Sequence, residues 1–193
     1  MVRLQRKEIE WLKKELGFAK RGEVKQKKVE ILSWLDENIK PETTYLEFIE
    51  RLQGSVANIE TVFDHGYLHA TALLVGDSYE ANSGSANPLY AFSQKEGQLF
   101  CYTGERWRLL TPGMWDQVCI LLKKIQMSAF EEWKALEITD IYETKQQNLW
   151  LDRMQRLQCL PPYGCPSLAN KLKKKIFQHI RMSFKDLSDC LPE

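Results

Sequence analysis

The chain reads as an α+β protein, mainly helical, with a small antiparallel sheet packed on a long helix and an amphipathic helical segment at its N-terminus. Three observations carry that expectation. A strand–turn–strand pattern runs straight into a helical period between Gly97 and Leu136. Residues 3–39 mix charge with apolar positions three and four apart. Two further helical patterns flank a Pro-rich stretch near residue 161. On this pattern the chain divides into a segment 1–40, a core 41–160 and a C-terminal part 161–193.

In the N-terminal segment, Leu4, Ile9, Leu12 and Leu16 form a narrow apolar stripe that Gly17 can terminate. After Gly22 the pattern resumes with Val24, Ile31, Leu32, Leu35 and Ile39, and Pro41 ends it. The stripe suits a helical hairpin or bent helix packed on the body or on another copy. The rival is a parallel coiled coil, but the a and d positions do not persist for the several heptads it needs. Leu4, Ile9, Leu12, Leu16, Ile31 and Leu35 are the candidate interface residues.

Thr44 and Glu47 match a capping box, in which hydroxyl and carboxylate satisfy the first free N–H groups, so a short helix is expected over 45–53 with Gly54 as its stop. Residues 56–63 are ambiguous. Residues 67–75, lying between Gly66 and Gly76, are read as a strand, with a helix as the rival. Residues 77–88 collect Gly, Ser, Asn and Pro and are read as a loop. A strand should begin at Leu89, with a turn at 94–97 and a hairpin of 98–103 and 106–110 around Gly104.

Thr111 can then cap a helix whose first position is Pro112. Trp115, Val118, Leu122, Ile125, Ala129 and Trp133 recur on one face of it through residue 135. Trp107 and Leu109 share a side of their strand and are expected to cover that face. Trp107, Trp115, Leu122, Ile125 and Trp133 are therefore the expected core. A next helix, capped by Thr139, should run to about residue 159 with Trp150, Met154 and Leu157 inward and Tyr142 and Leu149 nearby. After the Pro-rich loop, Ser167 can cap a last helix, 168–182, striped by Leu168, Leu172, Ile176 and Ile180. Phe184 and Leu187 can dock the tail.

The charge balance, 27 basic against 26 acidic residues, gives no global attraction to nucleic acid or an anionic membrane. Five cysteines without a CxxC pair argue against a disulfide framework and for a reducing compartment. No secretory signal and no run of about 20 apolar residues stands out, so the expected location is the cytoplasm or the interior of a particle assembled there, without secretion or a membrane span.

Candidate chemistry is sparse. Asp64, His65 and His69 are the most enzyme-like group, but an HExxH site needs Glu where Gly66 stands. Cys159, Cys165 and His179 are spaced too widely for an ordinary structural zinc site, and Cys190 would have to be the fourth ligand. Ser83-Gly84-Ser85 lacks the strand and Lys of a phosphate loop, and no GxSxG elbow occurs. No catalytic or metal-binding residue, cofactor or small-molecule substrate is assigned on this reading. Lys171, Lys173, Lys174, Lys175 and Arg181 concentrate positive charge on the last helix, either as phosphate contacts or as a solvated outer face.

Tyr102, Gly104, Trp107, Trp115, Ile125, Phe130, Trp133 and Lys134, within residues 89–135, follow an aromatic strand, x-G-x-x-W, helix, F-x-x-W-K order. This resembles a hairpin-plus-helix module of proteins from large cytoplasmic DNA viruses. The resemblance implies a viral accessory or virion-associated protein whose business is binding, and it assigns no functional residue. The leading expectation is a non-enzymatic structural or adaptor protein acting through self-association or a protein partner. A nucleic-acid-binding accessory using helix 168–182 is the alternative, and an enzyme using Asp64, His65 and His69 comes third.

Overall fold

The computed structural model describes residues 30–82, 87–158 and 166–189, within two compact units, Met1–Asn38 and Ile39–Glu193. In the first unit, α1 (Ile31–Asn38) buries Ile31 and Leu35, four residues apart on one face. Leu4, Ile9, Leu12 and Leu16 lie outside the described residues.

The second unit begins with α2 (Tyr45–Glu50), and the capping box forms as expected. The Glu47 amide donates to Thr44 Oγ1 at 3.2 Å, and the Thr44 amide donates to Glu47 Oε2 at 2.7 Å. The Thr44 backbone hydrogen bond holds the Glu47 carboxyl below its ordinary range. The ambiguous stretch is α3 (Val56–His65), capped by Ser55, whose hydroxyl accepts from the Asn58 amide at 3.2 Å.

The expected strand over 67–75 is instead the start of α4 (Tyr67–Ala81), so the 77–88 loop is also shorter than expected. Residues 77–81 are helical, and Ser83 to Ser85 lie outside the described residues. The physical reason lies in packing. Tyr67, Ala70, Thr71, Ala72, Val75 and Gly76 are all buried, and they occupy more than one face of the helix. Helix α3 lies along one side and the C-terminal helix α7 (Pro166–Ile180) along another. A helix covered on two sides loses the polar face that makes helical periodicity visible in a sequence. Gly76 sits where α7 crosses: a Cβ there would stand 3.3 Å from His179 Cβ.

The sheet has the order β3-β2-β1-β4, built from β1 (Leu89–Phe92), β2 (Leu99–Tyr102), β3 (Trp107–Leu109) and β4 (Arg181–Met182). The first three strands form the expected antiparallel meander, with Leu89 opposite Cys101 and Tyr102 opposite Trp107. β4 adds a parallel neighbour to β1, with Ala91 opposite Arg181 and Phe92 opposite Met182. The last helix therefore stops at Ile180 rather than 182, and Arg181 belongs to a strand.

Alternation along the strands sorts the sheet into two faces. Leu89, Ala91, Leu99 and Cys101 join the helical core. Tyr90, Phe92, Phe100 and Trp107 are buried on the opposite face, with ring centroids 5.3 Å apart for Tyr90–Trp107 and 5.7 Å for Tyr90–Phe92. This corrects the expectation that Trp107 covers the long helix. Its indole N–H instead donates to the Ile39 carbonyl at 2.8 Å, and Leu109 beside it is 41% exposed. Phe184, opening the short terminal helix α8 (Phe184–Asp189), sets its ring against Phe92 at 5.4 Å.

The long helix is α5 (Pro112–Glu137), capped by Thr111 with Pro112 in its first turn. Trp115, Val118, Leu122, Ala129 and Trp133 are buried as expected, joined by Cys119, Gln126 and Phe130. Ile125 is only partly buried: the inward stripe passes one residue later, through Gln126. Helix α5 packs on α2 and α3, and α7 contacts β1 of the sheet. The Trp115 indole N–H donates to the Ala169 carbonyl of α7 at 3.1 Å. Trp133 meets Phe63 edge-on at 5.1 Å and stacks on Phe130 at 5.5 Å.

Thr139 does not cap the next helix, α6 (Thr144–Gln158), which starts five residues later. Leu157 is fully buried and Trp150 and Met154 partly so, but Tyr142 and Leu149 face outward. Because Trp133 is buried against Phe63 of α3 and stacks on Phe130 of its own helix, Trp133→Ala should destabilise the fold by about 3–5 kcal/mol. Chemical denaturation checks this, and an unchanged midpoint would place the core elsewhere.

Candidate interaction surface

The five basic residues of the C-terminal helix do not form one patch. Ala169, Leu172, Ile176, Phe177 and Ile180 are buried. Lys173 lies one turn from Ala169 and Phe177 and is therefore drawn toward the core. It is partly buried near Cys101, and loss of solvation lowers its ammonium below the ordinary lysine range. Lys171 and Lys174 are exposed and Lys175 is half-buried, while Arg181 is carried off on β4. Helical geometry thus leaves three lysines on the outer side.

The histidines that suggested a metal do approach one another. His65 ends α3, His69 lies in the first turn of α4, and their rings meet edge-to-face at 5.7 Å. No group of three or more His, Cys, Asp or Glu among the described residues is placed to hold a metal ion. His179 stands exposed on α7 against Gly76, and Cys159, Cys165 and Cys190 lie outside the described residues. Burial pushes the Cys101 and Cys119 thiols up to about 12, so at neutral pH neither supplies the thiolate that nucleophilic chemistry requires.

Sequence reasoning missed a buried polar cluster between α3, α4 and α5. Gln126, fully buried, donates through Nε2 to Asn58 Oδ1 at 2.8 Å and reaches Thr71 Oγ1 at 3.5 Å. Asn58 donates onward to the Ala70 carbonyl at 3.3 Å. Among the described residues, Gln126 Oε1 and the Tyr67 hydroxyl are buried without a hydrogen-bond partner, and burial raises the Tyr67 ionisation. The signal was present: Gln126 stands four residues after Leu122 and three before Ala129, on the stripe itself. The cluster ties three helices together and presents no open face.

Two features do face outward. An open cleft of about 740 Å³ runs between the end of α2 and the middle of α5. Leu52, Leu121 and Ile125 supply its apolar part, and Glu50, Lys124 and Glu132 its charges. Gly54 fits beside it because a Cβ there would come within 2.9 Å of the Ile125 carbonyl oxygen. The second feature is apolar exposure at the α5–α6 corner, with Leu136 65% and Tyr142 92% exposed, followed by Leu149 and Leu151 on α6.

The buried amide generates a prediction. Gln126→Met keeps the volume but leaves Asn58 Oδ1 without its donor, so it should cost about 1–3 kcal/mol. Gln126→Glu should cost more, because a buried carboxylate has its pKa raised. The acid form is tolerated below the unfolded carboxyl value of about 4.3, and the penalty grows as pH rises above it. Urea unfolding of both variants at pH 4 and pH 7.5 checks the order; equal stabilities at both pH values would contradict it.

Comparison with family models, curated proteins and solved structures found no match to this chain.

Proposed function

We propose that this protein is a non-enzymatic structural or adaptor protein that works through protein–protein contacts. One observation carries the reading. Four of the six exposed large hydrophobic side chains among the described residues, Leu136, Tyr142, Leu149 and Leu151, fall at the α5–α6 corner and along α6. Isolated exposed apolar residues are ordinary, but a concentration of them marks an interaction site. A virus-encoded or virion-associated setting, in the cytoplasm or a virion interior, is part of the proposal and rests on the likeness of residues 89–135 to the viral module. No helix among the described residues is long and apolar enough to cross a membrane.

The alternative, a nucleic-acid-binding accessory, loses support as Lys173 and Arg181 leave the outer face of α7. Three phosphate contacts by Lys171, Lys174 and Lys175 would give a log–log salt slope of about −2.7 on duplex DNA. The triple variant K171A/K174A/K175A is expected to leave weak DNA binding and its salt slope unchanged in a filter or anisotropy titration. Loss of a slope near that value would transfer the function to nucleic acid.

The corner is tested directly by Leu136→Lys with Tyr142→Lys, both at exposed positions where folding should survive. Cross-linking in the native source should capture a discrete complex with the wild type and lose it in the double variant, at unchanged melting temperature. A complex that survives both substitutions would remove this surface from the proposal. A wild type that cross-links to nothing and stays monomeric would remove the adaptor function.

A further inference from the structure

The α2–α5 cleft has a chemistry of its own, and the charge distribution along the chain names an occupant for it. Residues 1–29 hold ten Lys or Arg and four Asp or Glu, a net charge of +6. The whole chain holds 27 and 26, so residues 30–193 hold 17 and 22, a net charge of −5. The near-neutral total therefore conceals a strongly basic segment joined to an acidic remainder. That segment also carries Leu4, Ile9, Leu12 and Leu16 at spacings of five, three and four, interleaved with Arg6, Lys7, Lys13 and Lys14.

The cleft offers the complement. Leu121 and Ile125, one helical turn apart, are half-buried, and Leu52 lies opposite. Glu50 and Glu132 stand exposed on its borders, with Lys124 the single cation among its lining residues. Two half-buried aliphatic side chains with a carboxylate at either border suit a basic amphipathic segment: aliphatic groups to Leu121 and Ile125, ammonium and guanidinium groups to Glu50 and Glu132.

We infer that the cleft receives the basic segment 1–29 of a second copy, so that the protein self-associates through contacts between segment and cleft. The inference rests on the adaptor reading and gives it one specific partner, another copy of this chain. Each copy offers both a segment and a cleft, so such contacts either close into a symmetric pair or continue as a chain. Much of the attraction is between exposed charges, so it should weaken as the Debye length falls from about 10 Å at 0.1 M salt to about 3 Å at 1 M.

The experiment uses the full chain throughout. Sedimentation velocity of the wild type should show dimers or larger species in 50 mM salt, with the association constant falling by about tenfold or more by 500 mM. Glu50→Lys with Glu132→Lys, at two exposed positions, should give a monomer with an unchanged melting temperature. Adding Lys13→Glu and Lys14→Glu to that variant should restore association by exchanging the charges. Association that persists in the Glu50→Lys, Glu132→Lys protein would overturn the cleft as the site. A wild type that is monomeric at every salt concentration would overturn the inference altogether. Both results leave the adaptor reading standing if the Leu136 and Tyr142 surface still captures a different partner.

Discussion

The close approach of α7 to α4 is the contact on which the second unit depends. α4 is covered by α3 and by α7, and small residues make this possible: Ala70 and Ala72 are fully buried, and Gly76 leaves room for His179 to lie directly against the helix. Once α7 is seated there, its end falls beside β1, so Arg181 and Met182 extend the sheet by a parallel strand. Its start receives the Trp115 indole, which anchors the N-terminal end of α5. A larger side chain at residue 76 would therefore disturb sheet and helices together, because the sheet meets the helical layer chiefly through α7.

That dependence explains what the sequence could reveal. The capping box at Thr44, the Thr111-Pro112 start and the stripe of α5 are local signals, since cap and helix lie within a few residues of each other. They were legible for that reason. α4 was not, because a strand and a helix buried on two sides both read as short apolar runs when neighbours cover the polar face. β4 was invisible in principle: two residues following a helix become a strand only because β1 is waiting some 90 residues away in sequence. Trp107 shows another limit. Period-two alternation says that it shares a side with Leu109, but which side meets the helices depends on the third dimension.

The candidate sites divide along the same line. His65 and His69 meet at the break between α3 and α4 rather than on one face of a single element, and no further ligand joins them among the described residues. The five basic residues separated because the helix ended earlier than its pattern suggested and because Lys173 sits at the border of the buried face. Gln126 was overlooked since a stripe is usually read by skipping its polar members. A buried amide limits how α3, α4 and α5 can slide past one another, because Asn58 and Thr71 must stay within its reach. The core thus carries a registration device that a purely apolar stripe would lack.

The proposed adaptor role would need outward surfaces held at fixed separation, and α5 spans two of them. The cleft includes Ile125 and the exposed corner includes Leu136, eleven residues apart on one uninterrupted helix. At about 1.5 Å per residue, the two surfaces are spaced by roughly 16 Å along its axis. The buried face of the same helix, from Trp115 to Trp133, is fixed against α2, α3 and α7, which holds Ile125 and Leu136 in place relative to the core. Surfaces held this way lose little conformational entropy when they are covered, which lets modest areas bind usefully. The helix that organises the interior is also the one that sets the distance between the two outward surfaces.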